Sequence, residues 1–354
     1  MVVSHESSSA LPVQGKRLQW LDASKGVSII LVMMAHSCGF PVGTMLALSG
    51  FVLIFFVYSG FTYKQGGSFH ELMKKKTLTL LIPYFFYGLL SILILWINSR
   101  INGRSDDVLL RVGGLFYSRY SLFPISEKPN IFFLKGGLDP MWFLTCMYLS
   151  FIWVWIFFKS KDRYIRVFLF FLYAALPLFL TTLSPILLPW SIDCSFLCAL
   201  LIIVGYNMNK YWGITQRSVR LKWWSFIILF LLFFVLTYLT GLGNISVGQY
   251  GRYGILGIFS FVLIGVLRST LLDTLMRIIE SSWISKVLSF FGRHSLRLMC
   301  LHMPIFKIIG IDGANGGGRF LLSFFAIILA LLVSFIFEKI KEYFSPKIKF
   351  LNYI

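Results

Sequence analysis

The sequence predicts an all-α polytopic membrane bundle of about ten transmembrane helices, and three observations predict it. The 354 residues are 57% apolar and only 13% charged, well above the apolar share of a water-soluble domain. Apolar stretches near the ~20 residues a helix needs to cross hydrocarbon recur from one end of the chain to the other. Their hydrophobicity is continuous rather than alternating, which selects helices over a barrel as the way to satisfy the backbone there.

Taken in order, spans are expected at 21–40, 43–62, 78–98, 140–158, 165–183, 190–208, 223–241, 252–272, 294–311 and 319–338. Residues 1–15 are polar and Ser-rich and read as a disordered tail, leaving 16–354 as one membrane domain without internal repeats. No small-residue cleavage site follows the first apolar run, so the first helix is expected to stay as an anchor. Charge placement tests the count. With the N-terminus cytoplasmic, the inner segments hold Lys16 and Arg17, then four Lys or Arg in each of 63–76, 159–166, 209–222, 268–293 and the C-terminal tail. Only eight Lys or Arg fall outside, so ten spans with both termini in the cytoplasm satisfy the positive-inside rule. The net charge of +19 is thereby read as topology in a cell membrane, and nucleic acid is not expected as a partner because no soluble basic face is evident.

The five cysteines fall in or beside apolar runs and read as small buried hydrophobes. Cys194 and Cys198 stand one helical turn apart, but without a second pair no metal is expected. Two connections are long. The external stretch 99–137 reads as a cover over a site. The inner stretch DTLMRIIESSWISKVLSFFG (273–292) reads either as a helix in the membrane interface or as an extension of the eighth span.

Ionisable groups inside a membrane helix cost on the order of 2.5–3.5 kcal/mol at its centre, so their placement is informative. In LDASKGVSIILVMMAHS (21–37), with Asp22 at 0°, Lys25, Ile29, Met33 and His36 fall at about 300°, 340°, 20° and 320°. This single stripe must face protein or water rather than lipid. Asp22 and Lys25 belong to its inner mouth, where an i,i+3 ion pair with a snorkelling lysine accounts for them equally well. His36 lies about 21 Å further along the axis and is either a helix-bonded structural histidine or a functional group. In FGRHSLRLMCLHMPIFKIIG, Arg293, Arg297 and Lys307 share one side and His302 the other, so an unkinked helix cannot turn them all to one cavity. Asp139, Trp142 and Asp193 are expected at the outer side, where the acids either orient a hydroxyl-rich acceptor or are solvated helix-end charges, and Trp142 offers a ring for a sugar.

The order of short motifs resembles a known family. LD-x-x-KG leading through an apolar run to H-S, then FFVYSGFTYK (55–64), a basic loop and LLIPYFF (80–86), MWFL (141–144), FLCALLIIVGYNMNK (196–210) and FGRHSLRLMCLH (291–302) resemble the integral-membrane acyltransferase-3 family, near its fucose 4-O-acetylase-like members. The resemblance covers nearly the whole chain. It implies an O-acyltransferase of the bacterial inner membrane that moves an acetyl or other short acyl group from cytoplasmic acyl-CoA to a hydroxyl of a surface or lipid-linked carbohydrate. It implies that His36 is the essential histidine of the first span; Asp22 and Lys25, from their place on its stripe, are expected to support it, and His302 is expected either to do so or to join helices as a structural histidine. Where many members carry an Arg-x-x-Arg pair before the third span, this chain has Lys74, Lys75 and Lys76.

These residue types suit that chemistry. Lys74, Lys75, Lys76 and Arg293 are placed to hold the phosphates of coenzyme A at the inner surface, although positive-inside charge explains any one lysine. A neutral His36 can take the proton of an attacking hydroxyl as general base, and an acyl-enzyme on His36 or a serine is a further route. The competing expectation is a glycan or lipid-linked sugar exporter, which a polar stripe through a helical bundle would serve without a coenzyme A site.

Overall fold

The structure, a computed structural model, describes residues 17–103, 107–119, 121–123, 138–184, 186–215, 223–241, 243–250, 253–311 and 316–344. The tail expected at 1–15 and, within the expected external cover, residues 104–106, 120 and 124–137 lie outside the described residues. Helix α1 (Gln19–Ser37) is the centre of the bundle, with Trp20, Asp22, Ser24, Gly26, Ile29 and Met33 all buried although they point in different directions. Its serines are compatible with that burial because they are bonded: Ser28 donates to the Ser24 carbonyl (2.8 Å) and Ser24 to the Asp273 carboxylate (3.3 Å).

Helices α2 (Val42–Ser49) and α3 (Leu53–Phe61) make the second span, joined by the 3-10 turn Gly50–Val52. Gly50 opens that turn at a close approach, where a Cβ would lie 2.0 Å from the Arg268 guanidinium. Helix α4 (Phe69–Lys76) begins on a reciprocal Ser68–Glu71 capping box and passes through a π turn at Thr77–Leu81 into α5 (Ile82–Ile101). Pro83 stands just beyond that turn, where its missing N–H would otherwise interrupt a regular ladder. Helix α6 (Val108–Tyr117), capped by Asp107, lies within the long external stretch. Helices α7 (Trp142–Lys159), α8 (Arg163–Leu183), α9 (Ile192–Trp212) and α10 (Trp223–Thr240) follow. The chain then runs through α11 (Ile255–Ile278), α12 (Trp283–Arg293), α13 (Ser295–Ile309) and α14 (Gly316–Phe344).

Among the described residues, seven helices are long and apolar enough to cross a membrane, and α1, α10 and α13 occupy the other three expected spans. Large apolar side chains such as Phe168, Phe171, Leu231, Phe234, Phe324 and Leu332 are exposed on α8, α10 and α14, a surface suited to lipid. The inner stretch resolves into both expected forms in succession: α11 extends to Ile278, and Ser282 then caps a separate amphipathic helix, α12, that exposes Trp283 and Val287 and buries Ser285, Ser289 and Gly292.

Lipid tails are as apolar as leucine, so helices in a membrane associate through close packing rather than hydrophobic expulsion. Two glycine pairs make that packing. On α1 and α12, a Cβ at Gly26 would stand 1.9 Å from the Leu288 carbonyl oxygen, and one at Gly292 1.8 Å from that of Asp22. Gly60 of α3 and Gly205 of α9 meet the Ile202 and Val57 carbonyls in the same way, each at 2.2 Å.

Candidate active site

A cavity of about 280 Å³ lies at the end of the bundle where α1 begins. Its polar wall consists of Arg17, Asp22 and Lys25 from the first helix, Tyr58, Ser59 and Thr62 from α3 and its end, and Arg293 and Ser295 beside the α12–α13 junction. The Gly26–Gly292 contact is what sets Arg293 opposite Asp22 and Lys25. Asp22 is paired with the Arg17 guanidinium and lies 3.9 Å from the Lys25 ammonium, so the expected i,i+3 pair is present. One carboxylate thus stands among three cationic side chains, and the wall retains excess positive charge. Behind Tyr58 its hydroxyl donates to the buried Asp273 carboxylate (2.6 Å), which also receives Ser24. Sequence reasoning missed Tyr58 and Asp273; the signal was an acid within the apolar run LLDTLM.

The inner walls of the cavity are apolar: Phe55, Phe143, Leu144, Met147 and Met299. On α13 the wall residues Ser295 and Met299 lie on one face, and the next residue on that face is His302, about 4.5 Å further along the axis. On α1 the stripe from Asp22 and Lys25 continues through buried Ile29 and Met33 to His36, about 16 Å beyond Lys25. The two lines converge. The His36 and His302 rings are 5.4 Å apart between centroids and tilted by 53°. Within α13 His302 does oppose Arg297, as expected from the sequence, but a break at His294, which ends α12 and begins α13, takes Arg293 out of that stripe. Arg293 faces the cavity, whereas Arg297 turns to α14, donating to the Ser334 carbonyl (2.9 Å) near Glu338.

Each imidazole is fixed by its own helix. His36 Nδ1 lies 2.7 Å from the Val32 carbonyl oxygen, and His302 Nδ1 2.7 Å from that of Leu298. A carbonyl only accepts, so each Nδ1 carries the proton and each Nε2 of a neutral ring presents a lone pair. That is the tautomer a general base needs.

The other predicted residues fare differently. Lys74 and Lys75 are exposed on α4, and Lys76 lays its ammonium 3.4 Å from the centre of the Phe151 ring; none of the three lines the cavity. Asp139 opens the 3-10 turn Asp139–Met141, and its side chain lies outside the described part. Trp142 is 7% exposed and set edge-on to Phe143, so it is a packed residue and not the open platform expected for a sugar. Asp193 is not a solvated helix-end acid. It is 1% exposed and accepts from the buried Arg119 guanidinium (2.7 Å) and from Tyr250 (3.2 Å). Burial and the Asp193 carboxylate push the Tyr250 hydroxyl well above its ordinary pKa, so it remains a donor. Arg119 also donates to Cys194 Sγ (3.4 Å), which lies 3.6 Å from Cys146 Sγ. Left-handed backbone at Ser118, Trp190 and Ser191 flanks the pair on both sides, and bulky residues adopt that conformation only where surrounding contacts impose it. Trp190 and Tyr117 supply such contacts, donating to the Phe116 and Leu187 carbonyls at 2.8 and 2.6 Å. Arg119 and Arg268, counted above with the loops, are buried inside the bundle.

A family model described as an acyltransferase domain matches residues 18–339. No curated protein and no solved structure matches the chain. The matched region begins before α1, ends within α14 and includes every cavity residue but Arg17, both histidines and the Arg119–Asp193 pair. The chain belongs to the acyltransferase-3 family of integral-membrane acyltransferases.

Proposed function

We propose that the protein is an acyl-CoA-dependent O-acyltransferase that passes an acetyl or other short acyl group from the cytoplasm to a hydroxyl of a surface or lipid-linked carbohydrate. The single observation that carries this reading is the alignment of a cationic cavity with a histidine pair one helical turn beyond its wall. Arg17, Lys25 and Arg293 suit the phosphates of coenzyme A, because a guanidinium pairs with phosphate oxygens in a fixed fork and an ammonium as a point charge. The apolar inner walls suit the thin acyl-bearing arm, which must pass Met299 to bring its thioester to the imidazoles.

At that point His36 is the general base. Its Nε2 lone pair takes the hydroxyl proton as the oxygen attacks the thioester carbonyl, while the Nδ1–Val32 bond holds the ring in the required tautomer. Unlike His302, which is fully buried, the His36 side chain retains some accessible surface, and the acceptor approaches from that open side. The positive-inside distribution orients the cavity to the cytoplasm.

The test is titration of the purified protein with acetyl-CoA, watched by calorimetry, with Lys25→Ala and Arg293→Ala alongside. Saturable binding that each substitution weakens is expected. No binding to the wild-type protein would favour an exporter.

A further inference from the structure

His302 has an unexplained feature. Its side chain is fully buried, its Nδ1 is bonded to the Leu298 carbonyl, and its Nε2 has no hydrogen-bond partner. A histidine serving only to join helices would use that nitrogen, since leaving a buried acceptor unmade costs about 1–3 kcal/mol. Of the two rings 5.4 Å away between centroids, Phe306 and His36, only His36 can exchange a proton, and its Nδ1 is tied in the same way. Two neutral imidazoles, each with its donor engaged by its own helix, thus sit side by side with lone pairs and no proton between them.

We infer that His302 is a second catalytic residue, the group that returns the proton to the departing coenzyme A sulfur. The inference rests on the acyltransferase reading above and assigns a residue to its second half. As the acceptor oxygen bonds to the acyl carbon and the C–S bond breaks, the hydroxyl proton goes to His36 Nε2, then to His302 Nε2, and then to the thiolate. The products are the ester and the free thiol, with no co-reactant. Position supports the order. His302 continues the face of α13 that lines the donor cavity through Ser295 and Met299, whereas His36 lies at the far end of the α1 stripe, on the ring that retains accessible surface. Met299 between them is unbranched and flexible, a side chain that can move aside for a thioester.

The experiment varies the leaving group. In native membranes holding the acceptor, thiol release is followed from acetyl-CoA and from S-acetyl-4-nitrothiophenol, whose thiolate departs without needing a proton. His302→Gln is expected to slow the acetyl-CoA reaction by about 10²-fold or more in kcat with little change in KM, and the aryl thioester reaction by less than about tenfold. His36→Gln is expected to slow both. An equal loss with both donors in His302→Gln, or no loss with acetyl-CoA, overturns the assignment, while a His36→Gln variant that keeps full activity instead overturns the base reading. Should His302→Gln fail to insert, the wild-type protein decides alone. Across acetyl esters of substituted thiophenols its rate is expected to vary little with thiol basicity, and a steep fall as the thiol becomes more basic overturns the proposal.

Discussion

Gly26 of α1 and Gly292 of α12 pack backbone against backbone, each meeting a carbonyl of the other helix where a side chain would begin. This contact fixes the mouth of the cavity, because Asp22 and Lys25 lie on one side of it and Arg293 on the other. Gly292→Ala therefore forces the helices apart. A loss of about 1–3 kcal/mol is expected for such overpacking, seen as a lower Tm in detergent, together with weaker acetyl-CoA binding. A variant with unchanged Tm would show that α12 can shift without consequence.

Arg119 and Asp193 predict a non-additive pair. Removing one partner leaves a buried uncompensated charge, so Asp193→Leu or Arg119→Met alone is expected to destabilise by about 3–5 kcal/mol, whereas the double variant loses much less. Chemical denaturation of the three variants measures this. Additive losses would mean the two residues are coupled to other groups more strongly than to each other.

Arg268 makes the opposite prediction. It is 4% exposed, its Nε has no partner, and its guanidinium lies 5.2 and 5.3 Å from the Phe51 and Phe233 ring centres. An uncompensated buried charge is a liability, so Arg268→Met is expected to leave stability unchanged or raise it by about 1–4 kcal/mol. A marked fall in Tm would show that the charge is compensated in the membrane by a group the fold alone does not supply.

The cavity separates two sets of basic residues. Lys25→Ala and Arg293→Ala are each expected to weaken acetyl-CoA binding about tenfold or more, the loss of one charge-assisted hydrogen bond. Lys74→Ala and Lys75→Ala, on the exposed surface of α4, are expected to change it by less than about threefold. Equal effects from both sets would move the phosphate site to α4.

Much of this arrangement is legible in the chain. The α1 stripe follows from helical periodicity alone, and the Asp22–Lys25 pair from i,i+3 spacing. Each expected span has a helix because continuous apolar runs leave the backbone no other solution in hydrocarbon. The meeting of His36 and His302 was not legible. It depends on how α1 and α13 pack and on the break at His294, which turns Arg293 and Arg297 in different directions; Gly292 stands two residues before that break, but one glycine does not say how the next helix is turned. Asp193 reads as an acceptor-orienting or a solvated acid, and not as half of a buried pair, because its partner, Arg119, comes from a stretch that looks like a loop. Lys74–Lys76 read as phosphate ligands from charge density, but the face of α4 they occupy is set by packing against α7, which sequence does not reveal.

The most direct test of the account is transfer of label from [14C]acetyl-CoA, added to inverted membrane vesicles, into the carbohydrate fraction by wild-type and His36→Gln protein. The account predicts that His36→Gln inserts normally and binds acetyl-CoA with wild-type affinity, yet transfers label about 10²-fold or more slowly. Label appearing in carbohydrate at the wild-type rate in that variant would contradict it.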